Sequence, residues 1–444
     1  MSKYSKSRIK IKRKFKALMK EFKALFYYGS VVDSWLPEVM LLPFISLQWK
    51  HDPTWYRLIA PPGSGKSKHL SLLEDYELAY VIDEFTPKSF VSGFRGAEGD
   101  DPSKLPLFDG KVLIIGDEST LMEQRQEDRN TVQSILRKAY DGKYAKSFGN
   151  IKEKCEYNSH FNLLVGSIPQ IDRYFIYNQA LGERYINFRL QVPDRRALAE
   201  RAYLNQFNDF PERYKRLKGK VHRFLRLIPD IEITGIRIPK GMENLFIETA
   251  NFISLVRTHI TRDTTGRHVT TLPQAETAGR LVQQMTQTAI SDAILRGDSV
   301  IKPEHAVKAI YFGIGSIMGV ISFILYHIVE YTKGVGEGSD ASWFSIQYMC
   351  VRTALGRSSI SRILEDLAIH RVLSIRQGKK QGGRMVEYSL SKEAWDIIRE
   401  INLFQNYIPP CKEIIELKRL DRNRLRENKS RRPRKKLKTK MKSA

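Results

Sequence analysis

The chain has 444 residues, 42% of them hydrophobic, and a formal net charge of +25. That length and apolar content provide for two or three domains with real cores and exclude a disordered chain. Three cysteines, Cys155, Cys350 and Cys411, none in C-x-x-C spacing, exclude a disulfide framework and a zinc knuckle and fit a reducing, intracellular setting, the cytoplasm.

The charge sits at the two ends. Residues 1–26 carry ten Lys/Arg against one Glu, and residues 416–444 carry fourteen against three acids, which leaves +5 for the body. Two basic arms suit contacts with a polyanion, nucleic acid first, with solubility or targeting as the plainer readings. Within the first arm, residues 1–40, Lys alternates with Ile, Phe and Leu from Arg8 to Phe26, without a signal-peptide pattern. It reads as a basic amphipathic helix facing DNA or a membrane surface.

The apolar pair Leu58-Ile59 then leads into Ala60, Pro61, Pro62, Gly63, Ser64, Gly65, Lys66 and Ser67, followed by a helical run to Leu73. Strand, glycine-rich loop and helix in this order make a phosphate-binding loop. Gly63 and Gly65 let backbone N–H groups close around phosphate oxygens, Lys66 reaches the β- and γ-phosphates, and the Ser67 hydroxyl ligates Mg²⁺. The usual pattern begins with Gly where this chain has Ala60.

Ala79–Ile82 is the next predicted strand, and residues 95–110, rich in Gly, Pro and Asp, form a loop. Lys111–Glu118 reads as a buried strand of a parallel sheet ending in two acids. After a phosphate loop, Asp117 suits the Mg²⁺ shell and Glu118 suits polarising an attacking water. Arg129–Tyr140 has helical periodicity, Gly142 and Gly149 punctuate two possible strands, and Phe161–Val165 is a further core strand.

Residues 201–335 are mostly helical in pattern. The run Ala309–Tyr326 holds eighteen uncharged residues, including Gly315-x-x-x-Gly319, and meets the minimum length for a membrane span. Lys308 and His327 flank it closely, and the expectation is a helix buried between domains, with no stable membrane insertion. A Gly/Ser/Asp cluster, Gly334–Asp340, marks a linker.

Beyond it, Trp343–Leu355 reads as a helix, Gly356-Arg357 as a turn and Ser358 as the cap of a second helix. That helix has an apolar stripe at Ile360, Ile363, Leu364 and Leu367, and Ser359, Ser361, Arg362 and Asp366 on the opposite face. Val372–Ile375 and Met385–Leu390 read as strands joined by a basic, glycine-rich turn.

With the phosphate loop and Asp117-Glu118 in place, residues 58–310 resemble the AAA+ ATPases. More narrowly they are similar to the clade with a hairpin before the sensor strand, which includes MCM replicative helicases and ATPases of mobile elements. The resemblance implies that Ser167, in Leu-Val-Gly-Ser-Ile-Pro169, is the polar sensor residue, a strand-ending Ser-x-Pro being the plainer reading. It implies that Arg184 is an arginine finger reaching a neighbouring subunit's nucleotide, with Arg173 and Arg189 as competitors. It implies that Arg280 is the lid residue on the γ-phosphate. Lys152 and Lys154 would lie at the tip of a pore hairpin and contact DNA. The C-terminal helix-turn-helix and hairpin look like a winged helix, with Ser359, Ser361, Arg362, Lys379, Lys380 and Arg384 facing DNA.

The expected architecture is therefore α/β: an AAA+ P-loop parallel-sheet core over 41–200, a helical lid and connecting helix over 201–335, a winged helix over 340–402 and a basic tail over 403–444. The expected function is an ATP- and Mg²⁺-dependent motor on DNA, a helicase or replication initiator, working as a homo-oligomeric ring. A DNA-binding transcriptional regulator, a scaffold with ATP as structural ligand and a membrane-surface ATPase are the alternatives.

Overall fold

A computed structural model describes residues 3–49, 52–84, 86–94, 101–148, 155–174, 183–228, 235–263, 265, 268–336, 340–380, 383–404 and 406–407. Lys152, Lys154, Gly149 and the basic tail beyond residue 407 lie outside them. The chain divides into two units, one built on Met1–Ser322 and Asp396–Ile408, the other on Phe323–Trp395. The division falls inside the helix Gly319–Val335 rather than at the expected linker.

The first unit is organised by β1 (Trp55–Ile59), β2 (Ala79–Ile82), β3 (Val112–Ile115), the hairpin strands β4 (Lys143–Lys146) and β5 (Cys155–Asn158), β6 (Asn162–Ser167) and β7 (Tyr185–Arg189). Five of these form one sheet in the order β2-β3-β6-β1-β7, with every pairing parallel. Parallel strands are covered on both faces, and β1, β3 and β6 are buried at every position. One face packs Trp55, Ile59, Leu113, Ile115, Leu163 and Val165 into a core shared with the helix Gln126–Tyr140. Each such aliphatic side chain contributes about 1.5–3 kcal/mol by burial. On the other face, Tyr56 meets Thr288 of the helix Gly279–Leu295 and Phe312 of the helix Pro303–Gly315.

The apolar run 309–326 is not one helix. It breaks after Gly315, and the helices Pro303–Gly315 and Gly319–Val335 are bent by 119°. Among the described residues no single helix is long and apolar enough to cross a membrane. The break has a cause: Arg189 donates from Nε to the Gly315 carbonyl (2.9 Å) and from Nη2 to that of Ile317 (3.1 Å), capping the first helix. Arg189 also pairs with Asp172 at 2.6 Å, so this competitor for the finger role is committed to holding a corner. Gly315 lies so close to β7 that a Cβ there would sit 2.0 Å from the Asn187 carbonyl oxygen. Its glycine serves packing on the sheet.

The N-terminal helix, Lys3–Leu25, buries Ile11, Phe15, Leu18, Phe22 and Leu25. It packs on the helix Phe210–Leu225, with Phe15 and Phe224 rings 6.1 Å apart. The amphipathic arm therefore buries its apolar stripe inside its own unit, while Lys10, Lys12, Lys14, Lys16, Lys20 and Lys23 stay exposed.

In the second unit β8 (Phe344–Ser345), the helices Ile346–Thr353 and Arg357–Ile369, and the strands β9 (Leu373–Lys380) and β10 (Gly383–Leu390) follow in order. The sheet order is β8-β10-β9, all antiparallel. Ile360, Leu364 and Leu367 are buried as the stripe predicts, with Ile363 only partly so. The second helix starts two residues early: Gly356 rather than Ser358 is its N-cap, so Ser358 lies inside the first turn. The first helix is shorter than expected, since Ser345 caps it by accepting the Tyr348 N–H at 3.2 Å.

Candidate nucleotide site

The glycine-rich loop expected to hold phosphate leaves the carboxyl end of β1. Gly63 and Gly65 have φ of +75° and +86°, a backbone state that side chains resist, so glycine is required there. Ala60 is different: it has no positive φ and is fully buried, and its N–H donates to the Ser167 carbonyl at 3.0 Å. That position continues the sheet and has no use for glycine. Inside the loop Ser64 is buried and its hydroxyl has no hydrogen-bond partner. Lys66, 7% exposed, donates from Nζ to the same Ser167 carbonyl at 2.9 Å. Burial pushes its pKa down, and Asp117 and Glu118 partly offset this. Ser67 is exposed at the start of the short helix Lys66–Leu70.

His69 anchors that helix. Its Nδ1 is 2.9 Å from the Gly65 carbonyl and its Nε2 2.8 Å from the Tyr28 hydroxyl, with the Phe26 ring 4.1 Å away. These contacts fix a neutral tautomer with Nδ1–H donating, and burial pushes the pKa down to about 4.

The ends of β3 and β6 meet beside the loop. Gly166 carries no side chain because a Cβ would sit 2.3 Å from the Gly116 carbonyl oxygen. The Glu118 N–H donates to the Gly166 carbonyl at 2.8 Å. Asp117 is exposed, and its Oδ1 accepts the Ser119 N–H at 3.0 Å. Ser167, 2% exposed, ends β6 opposite Ile59 of β1. Lys66, Asp117, Glu118 and Ser167 are thus brought to one edge, with Ser67 next to Lys66.

Glu118 differs from its expected setting. Its carboxylate is buried and doubly bonded to Arg57, Nε to Oε2 at 2.9 Å and Nη2 to Oε1 at 3.1 Å. Arg57 projects from the middle of β1, 1% exposed, with its guanidinium 3.7 Å from the Tyr185 ring and 3.8 Å from Glu183. Burial works against the cation, but Glu118 and Glu183 outweigh it and hold the pKa above the ordinary arginine value. In this conformation both Glu118 oxygens are bonded to Arg57. Arg57 escaped the sequence reading because it lies in an apolar strand, although a lone Arg in such a strand calls for a buried acid.

Arg184 and Arg280 are not part of this edge. The register pairs Trp55 with Tyr185, so Arg184 sits by the start of β1 and the loop by its end. Five residues of strand separate them by roughly 15 Å. The helix Gly279–Leu295 starts at the same amino edge: Arg280 donates to the Glu183 carbonyl at 3.1 Å and Gln284 to that of Arg184 at 2.6 Å. Arg280 therefore does not reach its own chain's loop, contrary to its expected place on the γ-phosphate there. Both guanidinium groups lie by the Tyr140 ring, 5.8 and 5.7 Å from its centre. Burial, Arg280 and Arg137 push the Arg184 pKa down, against Asp141 and Tyr140. Arg173 is exposed.

A cavity of about 370 Å³ opens beside the loop, which no motif announced. Its walls come from residues of 26–36, 63–69 and 190–210, segments far apart in the chain, with Asp33, Ser64, Gln191, Arg201 and Gln206 among the polar groups.

In the second unit Ser359 and Arg362 are exposed on the second helix. Ser361 is half-buried and donates to Glu365 at 2.8 Å. Lys379 pairs with Arg384 and Lys380 with Gly383 at the end of the hairpin. No protein-family model matches the chain, and a search of curated proteins returned no match.

Proposed function

We propose that the first unit is an ATPase of AAA+ type and that the chain uses ATP hydrolysis to remodel or translocate along DNA, as a helicase or replication initiator. The observation that carries this reading is the meeting of Lys66, Asp117 and Ser167 with the left-handed glycines of the loop at one edge of a parallel sheet. Ligands of such sheets bind outside the carboxyl ends of the strands. The donor set fits a triphosphate: amides of a loop with two left-handed glycines, a buried Ser64 hydroxyl without a partner, and an ammonium already aimed across the loop. Ser67 and Asp117, both exposed, supply the hard oxygen ligands that suit Mg²⁺. Bound Mg²⁺ would neutralise charge on the transferring phosphoryl group.

Glu118 polarises the attacking water after its carboxylate leaves Arg57. Ser167 orients at the strand end. Arg184 and Arg280, grouped at the amino edge, serve the nucleotide of an adjacent copy, which makes the working form a homo-oligomer, a ring. The second unit acts as a winged helix on DNA through Ser359, Arg362 and the basic hairpin, with the basic termini adding salt-sensitive affinity.

DNA-stimulated ATP hydrolysis tests this reading. Wild type is expected to hydrolyse ATP faster with DNA, Lys66→Ala and Glu118→Gln to lose turnover, and Arg184→Ala to poison wild type on mixing. A second reading, in which ATP is a structural ligand of a DNA-binding scaffold, is favoured by the Arg57–Glu118 pair. Turnover unchanged in Glu118→Gln would select it. Unwinding of a forked duplex separates a helicase from a regulator.

A further inference from the structure

The cavity beside the phosphate loop contains one deeply buried acid. Asp33 lies in the short turn of helix Asp33–Trp35, is 6% exposed and lines the cavity together with Gly63 and Ser64. Its Oδ1 is buried without a hydrogen-bond partner. Among the described residues no Lys or Arg forms an ion pair with it. A buried carboxyl oxygen left unbonded costs free energy that a ligand bearing a matched group recovers.

The rest of the wall suits a flat ring. Phe26, Tyr27, Tyr28 and Phe210 contribute aromatic surface, and Leu190, Val192 and Leu198 aliphatic surface. A nucleotide whose phosphates follow Gly63–Lys66 has this space within reach for its base, and 370 Å³ lies within the range of small-ligand pockets.

We propose that Asp33 reads the nucleotide base, bonding as a carboxylic acid to the Watson–Crick edge of adenine, with its O–H donating to N1 and its other oxygen accepting from the N6 amino group. The proposal rests on reading the loop as a triphosphate site. An ionised Asp33 presents two acceptors and matches instead the N1–H and N2 amino donors of guanine. The protonation state therefore decides the base. Burial pushes the Asp33 pKa up to about 7, against the lowering effect of Ser30 and of nearby backbone N–H groups. The acid is therefore populated at and below neutral pH, and selection tilts from adenine toward guanine as pH rises.

The ionisable neighbours leave that titration to Asp33. Tyr27 and Tyr311 both titrate above the ordinary tyrosine value. His69 is neutral above about pH 4. Asp194 is exposed and accepts from Tyr27 at 3.4 Å. Of the cations on the wall, Lys68 is exposed and Arg201 donates to the Ala24 carbonyl at 2.7 Å.

The test is equilibrium binding of ATP, GTP and tripolyphosphate, with Mg²⁺, to the full chain at pH 6 and pH 8.5. Wild type is expected to prefer ATP over GTP by about ten- to a hundred-fold at pH 6 and to lose most of that preference at pH 8.5. Asp33→Asn offers one donor and one acceptor at every pH, and is expected to keep the ATP preference at both. Asp33→Ala is expected to lose the preference while binding tripolyphosphate like wild type, which also shows that it is folded. If Asp33→Ala keeps the wild-type ATP/GTP ratio, Asp33 does not read the base. Tripolyphosphate binding without nucleotide binding also overturns the proposal but leaves the loop as a phosphate site. Binding of none of the three overturns the triphosphate reading as well.

Discussion

The two edges of the central sheet make different chemistry from similar material. At the carboxyl edge, a lysine, an exposed acid and a serine meet at a glycine loop, next to an open cavity. At the amino edge, Arg184 and Arg280 gather around one tyrosine ring, and a wedge of charge, Arg57 with Glu118 and Glu183, runs between the edges through the core. One edge gathers a lysine at a loop of left-handed glycines; the other presents cations with no loop of their own. A list of motifs in chain order hides this difference, because residues 60 and 184 sit on neighbouring strands and still face opposite ends.

The comparison is sharpened by breaking each part in turn. The largest effect is expected from Arg57→Ala, which strands two buried carboxylates. It should cost about 3–5 kcal/mol, read as a fall in the denaturant midpoint. The double variant Arg57→Met/Glu118→Gln should recover part of that loss. Next, Lys66→Ala should cut hydrolysis a hundred-fold or more. Arg184→Ala and Arg280→Ala should cut hydrolysis comparably yet leave ATP affinity of the isolated chain within about twofold, since neither touches its own loop. A fall in affinity as large as that of Lys66→Ala would erase the distinction between the edges.

A third effect is pH-dependent. The folded pKa of His69 is depressed to about 4, so the unfolded chain binds the proton first. Its contribution is intact above about pH 6.5 and is lost as pH falls toward 4, with a slope of at most about 1.4 kcal/mol per pH unit. Acid titration of His69→Phe against wild type should flatten that segment of the stability curve. The smallest effect is expected from Ala60→Gly. Restoring the usual first glycine should cost about 0.5–1 kcal/mol of stability and bring no gain in ATP affinity, because Ala60 has ordinary backbone geometry.

Much of the sheet was legible in advance. Val112–Ile115 and the β6 core are short apolar runs between turn signals, which is how buried parallel strands read, and Ala79–Ile82, half-buried at the sheet edge, has the same pattern. The loop glycines, too, announce themselves through backbone need. What local pattern does not carry is pairing over distance. Arg57 and Glu118 are 61 residues apart, and their bond depends on β6 lying between β1 and β3. The edge on which Arg280 falls depends on the direction of its helix. The split of the 309–326 run was set by Arg189, an arginine outside the run itself. The cavity is invisible to local pattern because its walls come from stretches around 26–36, 63–69 and 190–210. The N-terminal helix shows its amphipathic stripe in the sequence, but its partner, Phe210–Leu225, lies about two hundred residues later.

The Ser167 carbonyl has two lone pairs, and both are engaged, one by the Ala60 N–H and one by the Lys66 ammonium. The lysine is thus parked on a backbone oxygen, extended and already pointing across the loop. An anion bound there as proposed would not have to order a floppy four-carbon chain; it would have to win a proton donor away from a carbonyl that keeps its other bond. That exchange trades about 1 kcal/mol of hydrogen bond for the entropy of a long side chain. It also makes the end of β6 a register of the loop's state, because the strand loses one of its two tethers whenever Lys66 turns away.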